Sequence, residues 1–436
     1  MSDEKTAKSN FQNSKEKEFS WFRKNIYIFF LSIILGILCG MIMVLFNYLL
    51  IVFEIGFSYL PYFVSPLLAG VLTSVLVKFG KFERILGTGS DKFIEEVSKI
   101  EEKYKRIPNL VAKACATSWT YGSGMICGRE GPGLLIGANL GYFFSKEDNP
   151  DREIYSFIGA SACTAALLKA PISGALFCAE LPYNNYIHYK SLIPSIMAST
   201  IAYITFCLFF GFTSFIDTNL ISISPLEINY LSLIPLLVLF GIVSGLFVLI
   251  FVILLRKFIN LLRKWSREKI GLWILPLLGG LGYGIFLLLT IPYLFEDYYD
   301  DLTHPDITLL GYLIANIPTL TWIILLIFLF IIIVSTFLSI GTLQSAGIIM
   351  PLMIIGALFG GFFGIILYPE NPELFVLLGI SAVLGAGTKN PIAAIFIIVE
   401  MTWVPLLFIP AGITTIVAFI FSSKNSIIPG QMEKEV

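Results

Sequence analysis

Charge is what this sequence has least of. Of 436 residues only 14% are charged, with a net charge of −1, against roughly 25% charged in an average soluble protein. Apolar residues make up 56% and the mean hydropathy is +0.84. Length alone would allow about three soluble domains, but this composition cannot wet their surfaces. Disorder is excluded, since disordered chains are poor in apolar residues. A nucleic-acid binder is excluded by the missing basic excess. Histidine occurs only twice, at His188 and His304, widely separated and beside polar residues, a poor basis for a metal site. The six cysteines (Cys39, Cys115, Cys127, Cys163, Cys178, Cys207) form no C-x-x-C pair, so they read as small buried hydrophobes and not as metal ligands or a disulfide framework. No cofactor is implied. What remains is a polytopic membrane protein.

Apolar stretches recur from Ile26 almost to the end. Some, such as 62–78, 109–120 and 132–145, fall short of the roughly twenty residues of a simple span. Others, such as 219–255 and 373–422, are long enough for two elements. Pro132, Pro171, Pro225, Pro351, Pro391 and Pro410 interrupt them, so uneven, tilted or broken helices are expected. Broken helices at membrane depth are tolerated inside protein or along a wet path, which favours a transporter or channel.

The polar run 1–25 lacks the compact basic, apolar and cleavage-site order of a signal peptide and reads as a cytoplasmic tail. Arg256, Lys257, Arg263, Lys264, Arg267 and Lys269 form a basic loop, whereas Glu296, Asp297, Asp300, Asp301 and Asp306 form an acidic one. The basic loop, and the Lys- and Arg-rich segment 78–106, should face the cytoplasm and the acidic loop the outside.

An internal repeat is the strongest signal. Residues 159–180 align without gaps to 379–400 with eight of 22 positions identical, including Lys169/Lys389, Pro171/Pro391 and Glu180/Glu400. Residues 128–141 align to 347–360 with six of 14 identical. The offsets, 220 and 219, fit one duplication. Two-fold repeats are the architecture of secondary transporters, with the site between the halves at half-helix ends. The alignment leaves open whether the halves are parallel or inverted.

Three glycine-containing segments lead into apolar helices: 87–90 (G-T-G-S), 128–132 (G-R-E-G-P) and 347–351 (G-I-I-M-P). A helix N-terminus carries free amides and about half a positive charge. Several such ends converging at membrane depth would hold a dehydrated anion without buried Lys or Arg. Glu130 stands out, because its repeat partner is Ile349 and the duplicated frame needs no carboxylate there. Ionised, it could occupy an anion site; protonated, it could leave. Desolvation opposes its ionisation, while Arg129 and backbone amides favour it. The bland alternative is a structural Arg129–Glu130 pair. Lys169, Glu180, Lys389 and Glu400 recur in both halves and read as architectural charges near helix ends.

These residues resemble the CLC family of chloride channels and proton/chloride exchangers, of the prokaryotic type without C-terminal CBS domains. G-S-G-M-I-C-G-R-E-G-P at 122–132 is the most specific match. It is supported by A-G-I-I-M-P at 346–351, K-A-P-I-S-G at 169–174, K-N-P-I-A-A at 389–394 and S-I-I-P-G-Q at 426–431. The resemblance implies an all-α polytopic membrane protein, an inverted repeat of roughly eighteen tilted and broken helices, and a homodimer with one anion pathway per subunit. It assigns Glu130 as the external gate. Thr88, Gly89, Gly128, Arg129, Gly131, Gly347, Ile348, Ile349 and Ile428 would line the anion path. Thr88 stands in place of the family's usual serine, Ile349 where many members have phenylalanine, and Ile428 where many have a tyrosine. Leu181 occupies the position of the exchangers' internal glutamate, which weakens the expectation of strict proton coupling. The intact Arg129 argues mildly against the fluoride-specific branch. No soluble domain follows Val436, so nucleotide control is not expected.

The expected organisation is a tail (1–25), a first half (26–215), a second half (216–423) and a C-terminal tail (424–436). The chain is read as a multi-pass protein of the cell membrane with both termini cytoplasmic. It would move chloride, alone or in exchange for protons, with nitrate or fluoride as alternative cargo. An intramembrane lipid-modifying enzyme would need a His, Ser-Lys or Asp-Asp constellation that the chain lacks, so no enzyme is expected.

Overall fold

The computed structural model describes residues 2–98, 106–145, 152–184, 186–216, 230–294 and 307–433. The acidic loop 296–306, with His304, lies outside the described residues, as does 99–105 of the basic segment 78–106.

Sixteen α-helices account for nearly all of the described chain. In the first half they are α1 (Ser2–Ser58), α2 (Val64–Gly80), α3 (Ser90–Ser98), α4 (Arg106–Gly122), α5 (Glu130–Phe143), α6 (Arg152–Leu168), α7 (Pro171–Glu180) and α8 (Tyr189–Phe210). The second half holds α9 (Tyr230–Lys269), α10 (Ile274–Leu294), α11 (Ile307–Asn316), α12 (Trp322–Ser339), α13 (Ile349–Leu367), α14 (Pro372–Thr388), α15 (Pro391–Thr402) and α16 (Phe408–Phe421). Among the described residues five helices are long and apolar enough to cross a membrane, and several shorter apolar ones accompany them. Their outward faces carry Leu45, Phe143, Ile193 and Leu208, all well exposed, as lipid-facing surfaces do.

One expectation is corrected. The basic run Arg256–Lys269 is not a loop; it forms the last turns of the 40-residue α9. Lys and Arg are good helix formers, and cations are favourable at a helix C-terminus. Helix α1 likewise starts at Ser2, inside the polar N-terminal run.

The repeat is visible in the packing. Within each half, glycines four apart let two helices approach closely: Gly36 and Gly40 of α1 abut the carbonyls of Ala198 and Ala202 in α8. Gly241 and Gly245 of α9 abut those of Thr414 and Ala418 in α16. Gly141 presses on the Tyr155 carbonyl and, at the repeat-equivalent place, Gly360 presses on that of Phe375. Small residues at such crossings are the usual means of association in lipid, where apolar area alone supplies little drive.

Between the halves the contacts are reciprocal. Gly70 of α2 sits on the Pro276 carbonyl of α10, and Gly280 of α10 sits on the Pro66 carbonyl of α2. The Glu400 carboxylate accepts hydrogen bonds from Ile172 N–H (3.0 Å), Ser173 N–H (2.8 Å) and Ser173 Oγ (2.6 Å) at the start of α7. Glu180, at the end of α7, accepts one from Ala393 N–H (3.1 Å) at the start of α15. Each helix end thus caps the other's beginning, so α7 and α15 lie antiparallel about a pseudo-two-fold axis. This is an inverted repeat.

Lys169 and Lys389 end α6 and α14 in left-handed conformations (φ 52° and 64°), each followed by a non-helical residue (ψ 87° at Ala170, 65° at Asn390) before Pro171 or Pro391, since a following proline disfavours the helical region. Their ammonium groups donate to groups at the ends of α8 and α16, Lys169 to the Gly211 carbonyl (3.2 Å) and Lys389 to Ser422 Oγ (2.7 Å). They are helix-end charges.

Candidate functional site

Three helix N-termini meet at the pseudo-two-fold axis. Gly128 and Gly347 exchange backbone hydrogen bonds, N–H to O, at 2.8 and 2.7 Å in an antiparallel bridge. The chain leaves this bridge in opposite directions as α5 and α13. The residues just before the two helices have the same backbone: Arg129 at φ −94°, ψ −14° and Ile348 at φ −94°, ψ −13°. The loop before α3 joins from the other side, with Gly87 in a parallel bridge to Ser345. Gly87 and Gly89 are both left-handed (φ 87° and 83°), a conformation that favours glycine. Gly131 lies against the Thr88 carbonyl and close to Gly347. The three glycine segments, 260 residues apart at the extremes, are therefore one structural unit.

Glu130 is fully buried at the head of α5. Its carboxyl group folds back over Gly128: a Cβ there would collide with Oε2, and would also approach Met350 N–H of α13. Any residue but glycine at 128 would displace the carboxyl. Neither Glu130 oxygen makes a hydrogen bond of ordinary geometry, although the backbone amides of Arg129 and Glu130 itself act on the carboxyl. Arg129 does not pair with it. The guanidinium instead donates to Asn47 of α1 and to the Leu167 carbonyl at the end of α6. A buried carboxyl left without a partner is rare in proteins, and an intramembrane one is a functional candidate by default.

A cleft of about 60 Å³ opens beside this unit, lined by Thr88, Asp91, Arg256, Arg263, Ile348 and Ile427 among others. Ile349 is buried in the first turn of α13. Ile428 is buried too, and its neighbours Ile427 and Pro429, not Ile428, line the cleft. The segment carrying them is held by Ile427 N–H to the Gly387 carbonyl (2.9 Å) and by Gln431 to the carbonyls of Leu181 and Thr388. A short parallel pairing of Tyr183–Asn184 with Met432–Glu433 extends this strap. Among the described residues no group of three or more His, Cys, Asp or Glu could hold a metal ion.

Two positioning residues escaped the sequence reading. Lys113 of α4 is fully buried and donates to the carbonyls of Ile85 (2.8 Å) and Gly87 (2.6 Å). It fixes the loop before α3. Tyr283 of α10, also fully buried, accepts from Ile126 N–H (3.0 Å) and donates to the Gly124 carbonyl, steadying the loop before Gly128. An isolated lysine or tyrosine in an apolar run carries no signal for either role. Lys113→Met keeps the stem and removes the charge and both hydrogen bonds. It is expected to loosen the loop before α3 and to lower stability by about 1–3 kcal/mol, on the scale of one buried hydrogen bond, as equilibrium unfolding in mixed detergent would show.

The chain is similar to known proteins along most of its length. The chain is 28% identical over 429 residues to the H(+)/Cl(−) exchange transporter ClcA of Vibrio cholerae serotype O1, covering 91% of this chain and 86% of the relative. ClcA of Klebsiella pneumoniae is 27% identical over 375 residues, covering 81% and 75%. Among solved structures, a slow cyanobacterial Cl−/H+ antiporter superposes with a TM-score of 0.72 at 18% identity, covering 92% of this chain and 96% of that one. A CLC-type fluoride/proton antiporter superposes at 0.73 with 22% identity, covering 94% and 98%. The model of the voltage gated chloride channel family matches residues 70–423. With its inverted repeat and its three converging helix ends, the chain belongs to that family, the CLC proteins.

Proposed function

We propose that this chain carries chloride across the cell membrane, one pathway in each subunit of a homodimer, with Glu130 as the gate. The observation that carries the reading is the Glu130 carboxyl group, buried and without a hydrogen bond where the N-termini of α5 and α13 meet. Backbone amides of 87–91, 128–132 and 347–351 supply the anion's donors, and the helix ends supply the positive potential. An ionised Glu130 competes with chloride for this ground. A protonated one does not.

The basic end of α9 faces the cytoplasm, as do both termini, by the positive-inside rule. The cleft between Thr88 and Arg263 is then the internal mouth. Proton coupling is supported by the exchangers among the relatives and by a gate that is itself a proton acceptor, while Leu181 removes the internal carboxyl that coupling would use.

The test is flux from liposomes holding the purified protein under an outward chloride gradient, with chloride and pH electrodes read together. Chloride efflux above that of protein-free vesicles is expected, and its absence would refute the reading. Proton uptake against its own gradient would make the protein an exchanger; chloride movement alone would make it a passive pathway. Repeating the assay with nitrate and fluoride ranks the anions.

A further inference from the structure

We infer that Asp91 is a second, internal gate, a tethered carboxylate that competes with the transported anion for Thr88 and Gly89. The inference rests on the reading of 87–91 as part of the anion pathway, and extends it to a residue that no glycine motif singled out.

Asp91 stands in the first turn of α3. Its Oδ1 accepts two hydrogen bonds, from Thr88 Oγ at 3.3 Å and from Gly89 N–H at 3.1 Å. Each of these donors has a single hydrogen. A hydroxyl hydrogen aimed at Asp91 is not aimed at an anion, and the same holds for the amide. Carboxylate and chloride therefore exclude one another at these two donors, whatever their relative strength.

The surroundings suit a carboxylate that can leave. Its side chain is 11% exposed and lines the cleft together with Arg256 and Arg263. Lys92 Nζ approaches Oδ2 at 3.8 Å. A carboxylate turned towards the cleft would thus meet cations and water, not apolar surface. A second observation points to a ligand here. Ser90 Oγ, in the same turn, is fully buried and makes no hydrogen bond within the protein. With Thr88 released from Asp91, two hydroxyls and the amide of Gly89 would be available at the head of α3. A carboxylate at this place could instead be only a helix cap, since anions are favourable in the first turn.

Asp91→Asn separates the two roles, because it keeps an acceptor oxygen for the cap and removes the charge. Isothermal titration of the solubilised dimer with chloride is expected to give a dissociation constant about tenfold lower than wild type, the scale of one charged hydrogen bond no longer in competition. Asp91→Ser, which removes the carboxylate altogether, is expected to bind chloride tighter as well, even if its melting temperature drops. In a Thr88→Ala background the gain from Asp91→Asn should shrink, since one contested donor is gone. Unchanged or weaker chloride binding in both Asp91 variants would overturn the gate and leave a helix cap. If neither wild type nor variant binds chloride, the anion pathway itself is misassigned.

Discussion

Glu130→Gln is expected to yield anion flux that no longer varies with pH, whereas wild-type flux rises as pH falls. The sign follows from what the carboxyl does in each state. Ionised, it is a fixed anion held over Gly128 between two helix N-termini, where a mobile anion would also be drawn. Protonated, it loses its attraction for those ends and releases the ground. Glutamine copies the protonated form in shape and charge at every pH. One titrating group can change occupancy at most about tenfold per pH unit, so the wild-type dependence has a ceiling and the variant should sit on its low-pH plateau. Initial chloride efflux from liposomes between pH 4.5 and 8, about the range a perturbed carboxyl can span, reads this directly. A variant as steep in pH as the wild type would take Glu130 out of the gate.

The second large effect concerns the joint between the halves. Glu400→Ala removes an acceptor that takes three hydrogen bonds at the start of α7. Two of those donors are backbone amides that have no partner within their own helix. Hydrogen bonds to a charged group contribute about 1.5–3 kcal/mol each at best. Partial exposure of this cap trims the sum, so a loss of about 2–3 kcal/mol is expected. Equilibrium unfolding in mixed detergent would measure it, and Glu400→Gln, which keeps an acceptor, should lose less. Glu180→Ala acts at the other end of the same antiparallel pair. A ten-residue helix is about 15 Å long, so the two losses should add to within about half a kcal/mol. Strong non-additivity would mean that the two caps are one cooperative element. Anion flux per folded molecule is expected to survive either change, since neither carboxylate lies at the converging helix ends.

Much of this was legible before the fold. Glycine and proline act through local backbone preferences, so the segments at 87–90, 128–132 and 347–351 could be read as helix starts from the chain alone. The repeat was legible because its blocks keep Lys, Pro and Glu in register. A further pair was there to be read: P-L-L-A-G at 66–70 and P-L-L-G-G at 276–280, which become the reciprocal contact of α2 and α10. Its offset of 210 differs from the 219 and 220 of the other blocks, and so it does not show in an ungapped comparison.

By itself, then, the sequence determined a membrane chain with little charge, two related halves, and helix starts rich in glycine. Those properties depend on composition and on neighbours along the chain. Only the tertiary structure decided that the halves are inverted, because that depends on which helix end caps which. It decided that Arg129 reaches α1 and α6 instead of Glu130, since a long side chain goes where carbonyls await it. It also sent Lys113 to the loop before α3. Such contacts link residues on different elements, and no spacing along the chain encodes them.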